Sequence, residues 1–291
     1  MRVRGILIAA LSVVVSACSA PVPVVAGPVA VRGVPEAVTV ENVLPSATRR
    51  ALDRALERYL RDRPGRLALS VYDRTTGSRY SYGEHRSFML ASVAKVDILL
   101  ALLLRRQNER RPLTGYERRL AARMIRYSDN DCAHELYMMV GGQYGLAAAL
   151  RGLGVEHTWP GPGLSWGATR SRPSDQVKVL DRLTDPQGPL SAANRRYALE
   201  LMSSVDRSQA WGVGAVGGEV ALKNGWVPVD AHDGRWTVNS VGRLVVSGHE
   251  LLIAVLSERS PDMETGVATV EGAARLAASA LTRRRADRRT S

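Results

Sequence analysis

The chain has 291 residues, 45% of them hydrophobic, which is enough to bury one large core. A formal charge of +12 raises nucleic acid as a partner, but the arginines are scattered and cluster only in the tail TRRRADRRTS (282–291). That pattern excludes a nucleic-acid surface and reads as a solvated basic tail suited to anionic lipid or cell-wall polymer. The two cysteines, five histidines and the acids show no ligand spacing, so neither a metal nor a cofactor is expected.

In chain order, MRVRGILIAALSVVVSAC (1–18) opens basic and continues as an apolar run too short to span a bilayer. It reads as an export signal. Its end, Val15-Ser16-Ala17-Cys18, resembles a bacterial lipobox, which makes Cys18 the lipidated first residue of an extracytoplasmic, membrane-anchored protein; plain secretion is the alternative. Cys132 is then left without a partner and reads as a small buried apolar residue. Residues 19–45 are rich in Pro, Val and Ala, lack helical periodicity and read as a flexible tether.

The folded domain is expected over 46–281. Residues 46–62 carry apolar side chains at three-to-four spacing behind Ser46, a candidate cap, and predict a helix. RLALSVYD and SRYSYG alternate around the turn RTTG as a β-hairpin. Helical patterns follow from Ser92 to Gln107, Tyr116 to Arg126, Cys132 to Val140, Tyr144 to Gly152, Ser174 to Leu183 and Ser191 to Ser203, with a Gly/Pro/Trp-rich loop before Ser174. Three strand-like runs, EVALKNGW, RWTVNSVGRL and ELLIAVLSE, precede an Ala-rich helix at 264–281. Strands at both ends with helices between predict an α+β fold: one antiparallel sheet assembled from both chain ends, packed against helices, with a central all-helical subdomain.

Only three of the 40 basic residues are lysines: Lys95, Lys178 and Lys223. Lysine, unlike arginine, can lose its proton at moderate pH. Ser92-Val93-Ala94-Lys95 opens an apolar helix, and one turn brings hydroxyl and amine together. Ser128-Asp129-Asn130 falls between two helices, where a loop can aim a hydroxyl and an amide into a cleft. Lys223-Asn224-Gly225 lies on a strand. Each alone has an ordinary reading: an N-cap serine, helix punctuation, a lysine protecting an edge strand. In this order, on helix, loop and strand, they form a set.

SVAK, SDN and KNG together resemble the S-x-x-K, S-D-N and K-T-G set of class A β-lactamases and penicillin-binding proteins, and the likeness extends over nearly all of 46–281. The resemblance implies that Ser92 attacks an amide or ester carbonyl and Lys95 accepts its proton. Ser128 then passes a proton to the leaving nitrogen, and Lys223 orients Ser128 and attracts a substrate carboxylate. Asn130 would hold the substrate's side-chain amide. Asn224, Gly225 and Trp226 would line the substrate site, with the oxyanion between the N–H groups of Ser92 and Trp226. Besides a short loop before Ser174, and His134 where the family usually has an Asn after S-D-N, three features depart from the family. The loop 157–174 holds no acidic residue where class A enzymes keep the Glu that activates the deacylating water. The stretch between Lys95 and Ser128 is short. Asn224 replaces the hydroxyl residue of K-T-G.

The resemblance therefore implies a class A β-lactamase-like serine hydrolase, acylated at Ser92 by a β-lactam or related amide or ester and slow to deacylate. Two other readings stay open: a peptidoglycan D,D-carboxypeptidase or transpeptidase, and a non-catalytic lipoprotein binding a cell-wall fragment. Expected partners are a β-lactam or peptidoglycan-like small substrate and, through the lipid, the membrane.

Overall fold

The structure, a computed structural model, describes residues 42–283. The signal segment, Cys18, most of the stretch read as tether and most of the basic tail lie outside the described residues.

Helix α1 (Ser46–Leu60) leads into the hairpin of β2 (Arg66–Asp73) and β3 (Ser78–Tyr82). After β4 (Phe88–Met89) and a 3-10 turn (Ala91–Val93) come α2 (Ala94–Asn108), α3 (Gly115–Arg126), α4 (Asn130–Met139) and α5 (Gly142–Gly152). Strand β5 (Arg170–Ser171) precedes α6 (Pro173–Thr184) and α7 (Ala192–Ser203). The chain closes with β6 (Glu219–Val229), β7 (Arg235–Val246), β8 (His249–Glu258) and α8 (Met263–Thr282). Strand β1 (Asn42–Val43) completes a sheet of order β1-β3-β2-β8-β7-β6.

The α+β fold is the expected one, and β3-β2-β8-β7-β6 is the expected antiparallel assembly of both chain ends. Local details differ. Strand β1 falls in the stretch read as tether and pairs with β3 in parallel, with Leu44 buried behind it. The cap of α1 is Pro45, whose carbonyl accepts from Arg49, so Ser46 is already helical and makes no cap bond. The middle of the chain is not wholly helical either: β4 and β5 pair, tying the loop before α6 to the residues before Ser92.

Both faces of the sheet are covered, which explains why β8 reads as a continuous apolar run rather than an alternation. Leu251, Ile253 and Val255 face α1 and α8, while Leu252, Ala254 and Leu256 face the helical layer. Helix α2 is buried at every residue from Ala94 to Leu103, so it runs through the core rather than over it. On the other face, Gly266 of α8 lies so close to Val238 that an added β-carbon would stand 2.5 Å from its side chain. The alanines of α8 allow the same close approach, so the helix seats directly on the sheet that carries Lys223.

Candidate active site

Three segments carry the expected site residues, each shaped by a local device. The first is the turn Ala91–Val93. Ala91 has φ 48, the left-handed region where a β-carbon costs on the order of 1 kcal/mol. Asn239 of β7 holds the residues just before it, its Nδ2 donating to Met89 O at 2.8 Å and Leu90 O at 3.1 Å. Its Oδ1 accepts from Ser257 N at 2.9 Å, so the amide is fully used as a clamp between turn and sheet.

The second segment is Ser128-Asp129-Asn130. Ser128 has φ 57 and is again left-handed. Asp129 is the N-cap of α4, accepting from Cys132 N at 3.0 Å, and is paired with Arg123 at 2.7 Å. Helix punctuation and site residue thus coexist in one tripeptide: Asp129 caps, and its neighbours face Lys95.

The third is β6. Lys223 is fully buried. At Gly225 an added β-carbon would lie 2.6 Å from Leu90 O, 2.7 Å from Val93 N and 2.8 Å from Ser92 N. Glycine is required here because the strand passes against the main chain of the serine turn. Gly225 therefore sets the spacing of the two segments. Asn224 departs from the expected substrate role. Its Nδ2 donates to Gln209 O at 2.7 Å and Trp211 O at 3.0 Å, so both amide hydrogens are spent on the segment beside β6. Alternation along the strand turns it away from the side of Lys223.

The three segments meet around Ser128 Oγ, which two amines reach, the first being that of Lys95. Its Nζ lies 2.9 Å from Ser92 Oγ, 2.7 Å from Ser128 O, 3.0 Å from Ser128 Oγ and 2.8 Å from Asn130 Oδ1. Lys223 Nζ reaches the same Ser128 Oγ at 3.1 Å, and also Asn224 O at 2.9 Å and Gln209 Oε1 at 3.5 Å. Burial pushes the Lys95 amine down to about 7, with the Asp129 carboxylate opposing. Burial also holds Lys223 well below its ordinary value, and the charge of Lys95 pushes it further the same way. A neutral Lys95 keeps a lone pair that can accept the Ser92 hydroxyl proton, which an ammonium cannot. The indole of Trp166 covers this amine, 4.8 Å from Nζ to the ring centroid.

A cleft of about 390 Å³ opens beside Ser92, bounded by Asn130, Trp166, Trp226, Met89 and, at its far end, Asp230. Trp211 packs edge-on against Trp226, centroids 5.7 Å apart, and steadies that wall. Among the described residues no carboxylate hydrogen-bonds Ser92, Lys95 or Lys223.

The loop carrying Trp166 is pinned at both ends. Trp159 and Arg170 exchange main-chain bonds of 2.8 and 2.9 Å, and Leu90 N donates to Thr169 O at 2.8 Å. Tyr137 and Gln143 brace its middle through Gly161, Gly163 and Pro160. Beneath it, Thr158 Oγ1 contacts Ser171 Oγ at 2.7 Å and Asp175 Oδ2 at 3.0 Å. Gln176 Nε2 joins Ser171 Oγ at 3.2 Å to Asp97 Oδ1 at 3.3 Å. Asp97, two residues past Lys95, is wholly buried; burial pushes it up to about 8, with Asp175 adding to the rise and Gln176 opposing. Sequence reasoning missed Asp97, Gln176, Gln209 and Asn239. The only signal was a polar residue at an apolar-patterned position, as in Asp97 within VDILLALLL and Asn239 within WTVNSVG.

A profile of the Beta-lactamase enzyme family matches residues 111–281, which takes in Ser128, Asn130 and Lys223; Ser92 and Lys95 lie ahead of it. The "Putative lipoprotein LppW" of Mycobacterium tuberculosis is 28% identical over 242 residues, covering 80% of this chain and 74% of that protein. A class A β-lactamase from Bacteroides cellulosilyticus superposes with TM-score 0.70 at 16% identity, over 81% of this chain and 98% of its own. The TLA-1 extended-spectrum β-lactamase gives 0.73 at 17% identity, over 81% and 100%. At such identities the solved structures establish the fold alone, and with the profile match they lead to one statement: the chain belongs to the Beta-lactamase enzyme family.

Proposed function

We propose that this protein is a serine hydrolase acylated at Ser92 by β-lactams or related amides and esters, and that it releases the acyl group slowly. The observation that carries the reading is the convergence of Ser92, Ser128 and Asn130 on one buried amine whose proton affinity is tuned to neutral pH. Neutral Lys95 takes the proton of Ser92 as Oγ bonds to the carbonyl carbon. The carbonyl oxygen gains negative charge between the N–H groups of Ser92 and Trp226. As the C–N bond breaks, Ser128 gives its proton to the leaving nitrogen and is reprotonated from Lys95. Lys223, hydrogen-bonded to Ser128 Oγ, holds that hydroxyl in place, and a substrate carboxylate arriving beside it would offset its burial, favour its charged form and pair with it.

Slow release follows from the surroundings of the acyl ester. Water needs a base to attack it, no carboxylate touches Lys95 or Ser92 among the described residues, and Trp166 lies over the amine. The same observation favours a second reading, a peptidoglycan D,D-carboxypeptidase or transpeptidase whose acyl-enzyme awaits another acceptor. The export signal and Cys18 support a lipid-anchored protein working at the outer face of the membrane, in keeping with a relative named as a lipoprotein.

The test is incubation with a labelled penicillin followed by intact mass and turnover, on wild type and Ser92→Ala. A persistent adduct on wild type, absent from Ser92→Ala, is the expected result. Rapid turnover without accumulation refutes slow deacylation, and no adduct with β-lactam, ester or D-Ala-D-Ala peptide refutes the catalytic reading. Exchange of the adduct onto an amine acceptor faster than onto water selects the transpeptidase.

A further inference from the structure

A second cavity, of about 550 Å³, lies behind the catalytic turn, between the end of α1, the end of β8 and the start of α8. Strand β4 separates it from the cleft: Phe88 lines the cavity and the next residue, Met89, lines the cleft, as alternation along a strand requires. The mouth is basic. Arg63, Arg66 and Arg86 line it; Arg63 stacks on the Tyr59 ring and spends one N–H on Tyr59 O at 2.7 Å, while Arg66 reaches the one carboxylate of the lining, Glu258, only at 3.5 Å. The interior is polar at its floor, where Glu258 is 6% and Ser260 4% exposed. Ser260 Oγ is buried and has no hydrogen-bond partner, although a buried hydroxyl left unpaired costs about 1–3 kcal/mol.

We propose that this cavity binds an anionic sugar, a polyol unit carrying a phosphate or carboxylate. The guanidinium groups at the mouth supply paired donors for the anion. Inside, Glu258 accepts hydroxyl hydrogens, Ser260 Oγ gains the partner it lacks, and Phe88 gives the apolar wall on which the ring's C–H face rests. The volume falls in the range of small-molecule sites and greatly exceeds what a bare ion fills. A purely anionic ligand would meet Glu258 unfavourably. Hydroxyl donors beyond the anion remove that conflict, which is why the sugar rather than the anion alone is assigned.

The assignment is independent of the chemistry at Ser92, and calorimetric titration of the full chain tests it. Glucose 6-phosphate, glucuronate, glucose and inorganic phosphate serve as probes, with Arg86→Glu and Ser260→Ala as variants. At least one anionic sugar should bind at least about tenfold more tightly than glucose and inorganic phosphate. Arg86→Glu should weaken that binding by about tenfold or more and Ser260→Ala by several-fold, with penicillin labelling of Ser92 unchanged in both. Arg86 is exposed, so its variant folds, and the thermal midpoint verifies this. No binding by either anionic sugar up to about 10 mM overturns the proposal. So does equal binding by phosphate alone, or an affinity indifferent to Arg86→Glu.

Discussion

Replacing Gly225 by Ala tests the close approach on which the site depends. The added methyl would stand 2.6–2.8 Å from three main-chain atoms, Leu90 O, Ser92 N and Val93 N. None is the end of a flexible side chain, and the turn is tied to the same face of the sheet by Asn239, the cross-strand neighbour of Gly225, through Met89 O and Leu90 O. Ordinary contact distances therefore require β6 and the serine turn to separate by roughly half to one ångström, and overpacking of this kind costs about 1–3 kcal/mol. The larger effect falls on chemistry. Lys223 and the Trp226 N–H ride on β6 while Ser92 rides on the turn, and a displacement of about 1 Å in such a constellation lowers the rate about a hundredfold. The assay is the pseudo-first-order rate of Ser92 labelling by a fluorescent penicillin, read beside the thermal midpoint. A variant that labels within about threefold of wild type, with an unchanged midpoint, would refute the argument that the glycine is there for spacing.

Two pH-dependent outcomes follow. Because Lys95 must be neutral to accept the Ser92 proton, labelling should rise about tenfold per pH unit below its value of about 7 and level off above it, making pH 5 about a hundredfold slower than the plateau; a flat profile from 5 to 8 removes Lys95 as base. Asp97 is raised to about 8 in the folded protein, so the folded state holds a proton that the unfolded chain gives up near pH 4. Its stabilising contribution is full below pH 4 and is lost as pH rises towards 8. Asp97→Asn mimics the protonated form at every pH and escapes this loss. Its stability advantage over wild type should grow between pH 5 and 8 by up to about 4 kcal/mol in denaturant titrations, and a gap independent of pH would show that Asp97 is ionised in the fold.

Much of the architecture was legible because its causes are local. Apolar spacing marked each of the eight described helices, and RTTG between alternating runs marked the β2–β3 hairpin. The rarity of lysine singled out Lys95 and Lys223, and the structure brings both amines to Ser128 Oγ; an amine, unlike a guanidinium, can lose its proton at moderate pH. The third lysine, Lys178, donates to Gly154 O at 2.5 Å and belongs to helix packing, so rarity alone did not separate the two uses.

What the residues could not disclose by themselves is everything set by approach across the sheet. Whether Asn224 faces a substrate or the Gln209–Trp211 segment depends on which neighbour covers the edge of β6. Whether Gly225 is a flexible link or a spacer depends on how near the serine turn comes. The left-handed Ala91 and Ser128 have no glycine to announce them; the surrounding packing imposes those conformations, Asn239 and Lys95 being the fixed points that hold them. The sequence alone thus determined which reactive side chains are present and in what order, because side-chain type and position along the chain are all it carries. The tertiary structure alone decided which groups come within hydrogen-bonding reach, because distances below 3.5 Å between residues 33 to 95 positions apart arise only when helix, loop and strand close on the Ser128 segment from two sides with two buried amines.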